Sequence, residues 1–192
     1  MILPACELGT FPVADVHAAS GTGNITLALG PWVTSVKGID LSEKMVDEYN
    51  KAASSSGLEP GQAHAVVGDL CAEHVPDNLT SQEYYGFDIA VIGLGFHHFE
   101  DPGLAVKRLG ERLKPGGALV IIDFLPFGHA QKKMGEMAHT IKHDGFTKAD
   151  MERLYSQGGM GDVKFDVVGD VHMELKKGPV DRTMFIARAE RL

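Results

Sequence analysis

The feature that most constrains this chain is a repeated rhythm of short apolar runs separated by helical stretches. The runs are Pro12 to Ala19, Val33 to Ile39, Ala63 to Val67, Phe87 to Ile92 and Ala118 to Phe124. Between them, Asn24 to Leu29 has Ile25 and Leu29 one helical turn apart and stops at Gly30-Pro31. A second helix opens at Ser42 with Glu43 in its first turn, carries Met45 and Tyr49 on one face, and ends in Ser54-Ser55-Ser56-Gly57. A third is expected over Ala105 to Leu113. Strands alternating with helices require crossover connections, so the expected fold is α/β with a doubly wound, mostly parallel sheet. Ligands on such sheets sit beyond the carboxyl ends of the strands. Asp40, Asp69, Gly93 and Asp123 all fall at those ends.

After Pro126 the rhythm changes. Lys132 to Lys142 and Thr147 to Gln157 read as helices, the second with Thr147 as N-cap and Asp150 at its third helical position. Val163 to Leu175 and Thr183 to Ala189, joined through Lys177-Gly178-Pro179, read as a closing hairpin. Elsewhere Cys71 to Tyr85 reads as a polar loop with a short helix, Gly93 to Pro102 as a loop and Lys114-Pro115-Gly116-Gly117 as a turn. The 192 residues are expected to form one domain, with an atypical start over 1–19 and lid or substrate-side helices over 126–160. The first strand is a poor one, with Asp15 and His17 where apolar residues are expected.

Charge narrows the classes of partner. With 18 Lys+Arg against 26 Asp+Glu, the net charge of −8 disfavours a nucleic-acid partner, whose phosphates need clustered cations. Two cysteines, Cys6 and Cys71, make no disulfide framework. The N-terminus has no signal-peptide pattern, and no apolar run approaches membrane-spanning length. A cytoplasmic protein with no membrane partner is expected.

The richest stretch for chemistry is Ser20-Gly21-Thr22-Gly23, between the first run and the first helix. Glycines there let the backbone turn sharply, and the helix that follows points free N–H groups at a ligand. Asp40 follows Gly23 by 17 residues, the layout of a nucleoside-bearing cofactor site in which the acid binds ribose hydroxyls. A dehydrogenase reading fits less well. Thr26 stands where a third glycine belongs, and none of Tyr49, Tyr84, Tyr85 or Tyr155 has a lysine four residues later. His97-His98 invites a metal reading, but adjacent histidines are expected to point apart and no second ligand pair supports them, so no metal is expected. His98, His139 and His143 are the candidate general bases, with surface or loop roles as the plainer alternative. Met134, Met137 and Ile141 read as core or lid packing.

Five segments in register then resemble a known family. Ser20-Gly21-Thr22-Gly23, Gly38-Ile39-Asp40-Leu41-Ser42, Gly68-Asp69-Leu70, His97-His98-Phe99-Glu100-Asp101-Pro102 and Leu113-Lys114-Pro115-Gly116-Gly117 occur in the order found in class I S-adenosylmethionine-dependent methyltransferases. The match is to the small-molecule branch, methyltransferase type 11 or 12, and runs from about Ser20 to the C-terminus. The resemblance implies a seven-stranded sheet with an antiparallel last strand, S-adenosyl-L-methionine as cofactor and a small-molecule methyl acceptor. It implies that Ser20, Gly21, Thr22 and Gly23 form the turn, with Gly21 and Gly23 facing the methionine part of the cofactor. Asp40 is implied at the ribose, Leu41 and Met45 flanking the adenine, and Asp69 at the adenine amino group. Leu70 is implied to supply a backbone N–H and Gly93 a carbonyl to the methionine ammonium. Two departures stand out: His17, Ala18 and Ala19 replace the family's acid-x-glycine, and the helices that roof the family's active site have no counterpart before the first strand. The start therefore reads as truncated. The alternative is a non-catalytic or weakly binding remnant that serves as a protein-interaction partner.

Overall fold

Each apolar run becomes a strand in the computed structural model, which describes residues 14–18, 21–126, 140–175 and 178–192. The strands are β1 (Ala14–Ala18), β2 (Ser35–Asp40), β3 (Ala63–Val67), β4 (Phe87–Gly93), β5 (Leu113–Phe124), β6 (Met160–Leu175) and β7 (Gly178–Arg191). Among the described residues they form one seven-stranded sheet in the order β3-β2-β1-β4-β5-β7-β6. β1 to β5 pair in parallel, and β7 runs antiparallel to both its neighbours. The doubly wound sheet with its antiparallel hairpin strand is the expected one. The order reverses between β1 and β4, which opens a crevice at their carboxyl ends.

Helices α1 (Asn24–Leu29), α2 (Glu43–Ser55), α3 (Pro102–Gly110) and α4 (Lys148–Gln157) connect the strands. Val46, Tyr49 and Ala53 of α2 pack on Val36, Ala63 and Ala65, forming one apolar layer. A second and larger layer joins Leu109 of α3 and Met151, Leu154 and Tyr155 of α4 to Ile39, Ile92, Ile121 and Phe185 of the sheet. Alternation along β2, with Val36 in one layer and Ile39 in the other, follows from the period of two. The buried Tyr155 hydroxyl donates to the carbonyls of Ala187 (3.0 Å) and Leu119 (3.3 Å), so α4 is tied to the sheet by a polar bond inside the apolar layer. Burial pushes the Tyr155 phenol far above its ordinary range.

Several boundaries differ from the sequence reading. The helix expected over Ala105 to Leu113 lies earlier, because Asp101 caps it through the Leu104 N–H (2.9 Å) and Pro102 opens it. Its expected last residues already pair with β4: the N–H groups of Gly86 and Phe87 donate to the Arg112 carbonyl. The Lys114 to Gly117 turn is absorbed into β5 at a register shift opposite Phe87 and Ile89. The short helix expected within Cys71 to Tyr85 is instead two single 3-10 turns, Asp77–Leu79 and Gln82–Tyr84. The closing hairpin is longer than expected, since ladder pairing from Met160↔Arg191 carries it across a bulge at Gly161 to Lys164. The capping box on α4 is present in both directions between Thr147 and Asp150. Of the helix expected over Lys132 to Lys142, residues to 139 lie outside the described residues, and Ile141 and Lys142 are not helical. Ala19, Ser20, Met134, Met137 and His139 also lie outside them.

Candidate active site

At the carboxyl end of β1 the glycine turn is closed by an acid. Gly21 (φ +51°) and Gly23 (φ +84°) adopt left-handed backbone that glycine accepts without strain. The Gly21 N–H donates to Asp40 Oδ2 (2.9 Å), and Asp40 Oδ1 accepts from the Ser42 N–H (2.9 Å). The Asp40 carbonyl accepts from the Gly68 N–H (2.9 Å), which brings the end of β3 beside the same residue. A carboxylate offers about four acceptor positions, so these bonds leave Asp40 capacity for a ligand. A Cβ on Gly21 meets no atom within 4 Å, so this side of the turn is open. Thr22 is exposed beside it.

Gly23 is different. A Cβ there lies 3.0 Å from the Tyr49 ring, so its glycine makes room for α2 as well as supplying the turn. The Tyr49 hydroxyl in turn meets Thr26 Oγ1 at 2.8 Å, with both residues buried. Thr26 and Tyr49 therefore support the turn from below. In the sequence their only signals are a threonine in place of a third glycine and a tyrosine on the inner face of α2.

Around the crevice, Leu41 is 69% exposed and Met45, in the first turn of α2, is half-buried. Ser42 caps that helix by accepting from the Met45 N–H (3.4 Å). Asp69 Oδ1 accepts from the Cys71 N–H (2.7 Å), while Leu70 is buried in the core. Gly93 ends β4, and a Cβ on it would stand 1.8 Å from Ile25 Cδ1, so a side chain there would have to displace the tip of Ile25 on α1. Sequence reasoning passed over the next residue. Leu94 has φ +57°, uncommon for a branched side chain, and is 46% exposed, with its N–H bonded to the Ile122 carbonyl (2.8 Å).

Across the crevice from β2, the 3-10 turn Phe96–His98 carries the two histidines. Adjacency led to the expectation that they point apart, but their ring centroids lie 4.1 Å from each other. His97 is buried, its ring Nδ1 2.8 Å from Asp123 Oδ1, and its N–H donates to Asp123 Oδ2 (3.0 Å). His98 Nδ1 faces the Thr140 carbonyl at 2.8 Å, and burial lowers the His98 pKa below its ordinary value of 6.5. The His97 carbonyl accepts from the N–H groups of Lys142 and His143 (3.0 and 3.1 Å), which docks the 140–146 segment on the turn. Behind Phe124 lies the buried Arg182 guanidinium, 4.2 Å from the ring centroid. Burial draws its pKa down to about 10, against the pull of Asp123 and Asp144.

His143, the other described candidate base, lines a cavity of about 340 Å³ between the start of α3 and α4, with Asp101, Phe146, Asp150, Arg153 and Leu154. Asp40, Asp69 and Gly93 do not line that cavity. The structure thus brings Gly21, Asp40, Leu41, Asp69 and Gly93 to the carboxyl edge of the sheet and sets His143 on the flank toward α4.

A parallel sheet with a reversed β7, a glycine turn closed on the acid ending β2, and a second acid after β3 define the class I methyltransferase fold. A family described as Methyltransferase domain matches residues 16–121, more than half of the chain. The chain belongs to that family. It is 29% identical over 156 residues to an uncharacterized methyltransferase of Schizosaccharomyces pombe, covering 79% of this chain and 54% of the relative. It is 32% identical over 117 residues to the demethylmenaquinone methyltransferase of Thermus thermophilus, covering 60% of this chain and 49% of the relative. The chain spans about half the length of these curated relatives. Among solved structures, YcgJ of Bacillus subtilis superposes with a TM-score of 0.70 at 14% identity, over 94% of this chain and 92% of that one. A SAM-dependent methyltransferase from Methanosarcina mazei superposes with a TM-score of 0.68 at 22% identity, over 94% and 93%.

Proposed function

We propose that this chain transfers a methyl group from S-adenosyl-L-methionine to a small-molecule acceptor. The observation that carries the reading is the bond from Gly21 to Asp40, which assembles the glycine turn and the β2 acid into one cradle with capacity left for a ligand. The residues present fit the cofactor. Asp40 binds the ribose edge, Leu41 and Met45 flank the adenine, Asp69 accepts from its amino group, and Leu70 offers an N–H. Gly21 and Gly23, with Ser20 and Thr22, border the methionine part, and the Gly93 carbonyl receives its ammonium. When bound, the cofactor supplies a methyl group already activated by its sulfonium, so alignment and exclusion of water are what the protein must add.

The acceptor side is formed by residues 126–160, supported by the docking of the 140–146 segment on the His97 carbonyl. His98 takes the acceptor's proton. The Thr140 carbonyl accepts only from a protonated Nδ1, which leaves the Nε2 lone pair as the base. The lowered pKa keeps that ring neutral near pH 7. A base must be deprotonated to act, so the rate should rise with pH, with the midpoint of the rise below pH 6.5. A midpoint above that value, or a profile unchanged in His98→Ala, would remove His98 from this role. The negative charge and the likeness to a demethylmenaquinone methyltransferase support a small molecule rather than nucleic acid as acceptor. No helix among the described residues is long and apolar enough to cross a membrane, and cytoplasmic action is part of the proposal.

Calorimetry with S-adenosylmethionine and S-adenosylhomocysteine tests the reading. Saturable binding of both is expected, and absence of binding by the folded chain would overturn it.

A further inference from the structure

The loop after β3 has no ladder partner of its own, yet it carries Asp69. Asp69 Oδ1 is taken by the Cys71 N–H (2.7 Å), so the direction of the carboxylate depends on the path of the loop backbone. That path is held from outside. Arg108, in the last turn of α3, donates from Nη1 to the carbonyls of Leu70 and Ala72, the second at 2.6 Å, and from Nη2 to Glu73 (3.4 Å). Among the described residues every side-chain hydrogen bond of Arg108 goes to this loop. Three carbonyls converging on one point repel one another unless a cation with several fixed donors stands between them. Guanidinium has the planar fork for that task, whereas ammonium is a point charge on a flexible stem.

Arg108 is itself held in place. Its carbonyl accepts from Arg112 Nη1 (2.8 Å), and Arg112 Nη2 reaches the Leu79 carbonyl (3.3 Å). Arg112 is buried, with its guanidinium 5.1 Å from the Tyr85 ring centroid. On the far side of the loop, the Asp69 carbonyl accepts from Ala72 N–H (3.5 Å), and Asn78 donates to the Val67 carbonyl (3.0 Å). The strand end is therefore fixed on one side by the loop's own bonds and on the other by one arginine from α3.

We propose that Arg108 is a positioning residue that sets the base specificity of the cofactor site, by holding the Leu70 to Glu73 backbone so that Asp69 meets the adenine amino group. This inference rests on the cofactor reading above. It goes beyond that reading in assigning adenine selectivity to a residue on α3, 39 positions after Asp69, that touches no ligand.

The test compares S-adenosylhomocysteine with S-inosylhomocysteine, in which a carbonyl replaces the amino group. Calorimetry is run on the unmodified chain, Arg108→Ala and Arg108→Lys, with thermal melts of each. The unmodified chain should prefer the adenosine ligand by about 10- to 100-fold, the range for a hydrogen bond to a charged group. Arg108→Ala should lose most of that preference with little change toward the inosine ligand, and Arg108→Lys should recover part of it. Equal weakening of both ligands in Arg108→Ala, with the preference intact, would make Arg108 a structural residue only and overturn the inference. If Arg108→Ala does not fold, the preference in Arg108→Lys decides: reduced supports the proposal, undiminished overturns it. Tight binding of both ligands without preference by the unmodified chain also overturns it, while leaving the cofactor reading standing. No binding of either removes the cofactor reading itself.

Discussion

Two acids end parallel strands of the same sheet, Asp40 on β2 and Asp123 near the end of β5, and their surroundings are opposite. Asp40 is partly exposed and accepts from two backbone N–H groups at the rim of the crevice. Asp123 is fully buried and accepts from the His97 N–H, the His97 ring and the Phe124 N–H (2.7 Å). The difference lies in what the following chain does. After β2 it turns outward into α2 and leaves the carboxylate at the surface. Over β5 the Phe96–His98 turn folds back and seals the carboxylate in. One strand-end acid keeps capacity for a ligand, and the other spends its capacity on architecture. Through His97, whose carbonyl holds Lys142 and His143, that architecture supports the 140–146 segment.

The largest expected effect separates the two acids. Asp123→Ala leaves His97 and a backbone N–H without their buried acceptor, and should destabilise the fold by about 3–5 kcal/mol. Denaturant unfolding measures it, and a loss within the range of ordinary surface substitutions would show that Asp123 is not an architectural residue. Asp40→Ala should instead weaken cofactor binding by about 1.5–3 kcal/mol, with a smaller change in stability. The contrast between the acids fails if calorimetry finds unchanged binding while the melt drops as far as for Asp123→Ala. Gly93→Ala brings a methyl onto the tip of Ile25, which can turn aside, and should cost about 1 kcal/mol of stability, the low end for overpacking. Adding Ile25→Ala should relieve that clash, and a double variant no better than Gly93→Ala would mean that the strain lies elsewhere. Thr26→Val removes the bond to the Tyr49 hydroxyl and should cost about 0.5–1.5 kcal/mol. A stability cost without loss of affinity would show that the support under the turn is not transmitted to the ligand.

Local patterns located most of the elements, though not all of their bounds. Periodicity and capping chemistry located α1, β3 and the Thr147–Asp150 capping box, and the strand–helix rhythm implied the parallel sheet. The same rhythm placed Asp40, Asp69, Gly93 and Asp123 at or just beyond strand ends, because the alternation of apolar runs and turns shows in a short window. What each of those residues touches was not legible there. Gly23 faces Tyr49, Gly93 faces Ile25, Asp123 faces His97, and the Asp69 loop rests on Arg108. Each of these contacts joins residues from different elements, and a side-chain period says which face is buried but not which neighbour it will meet. Only the packing of helices and turns onto the sheet decided that the acid on β2 stays open and the acid on β5 is closed.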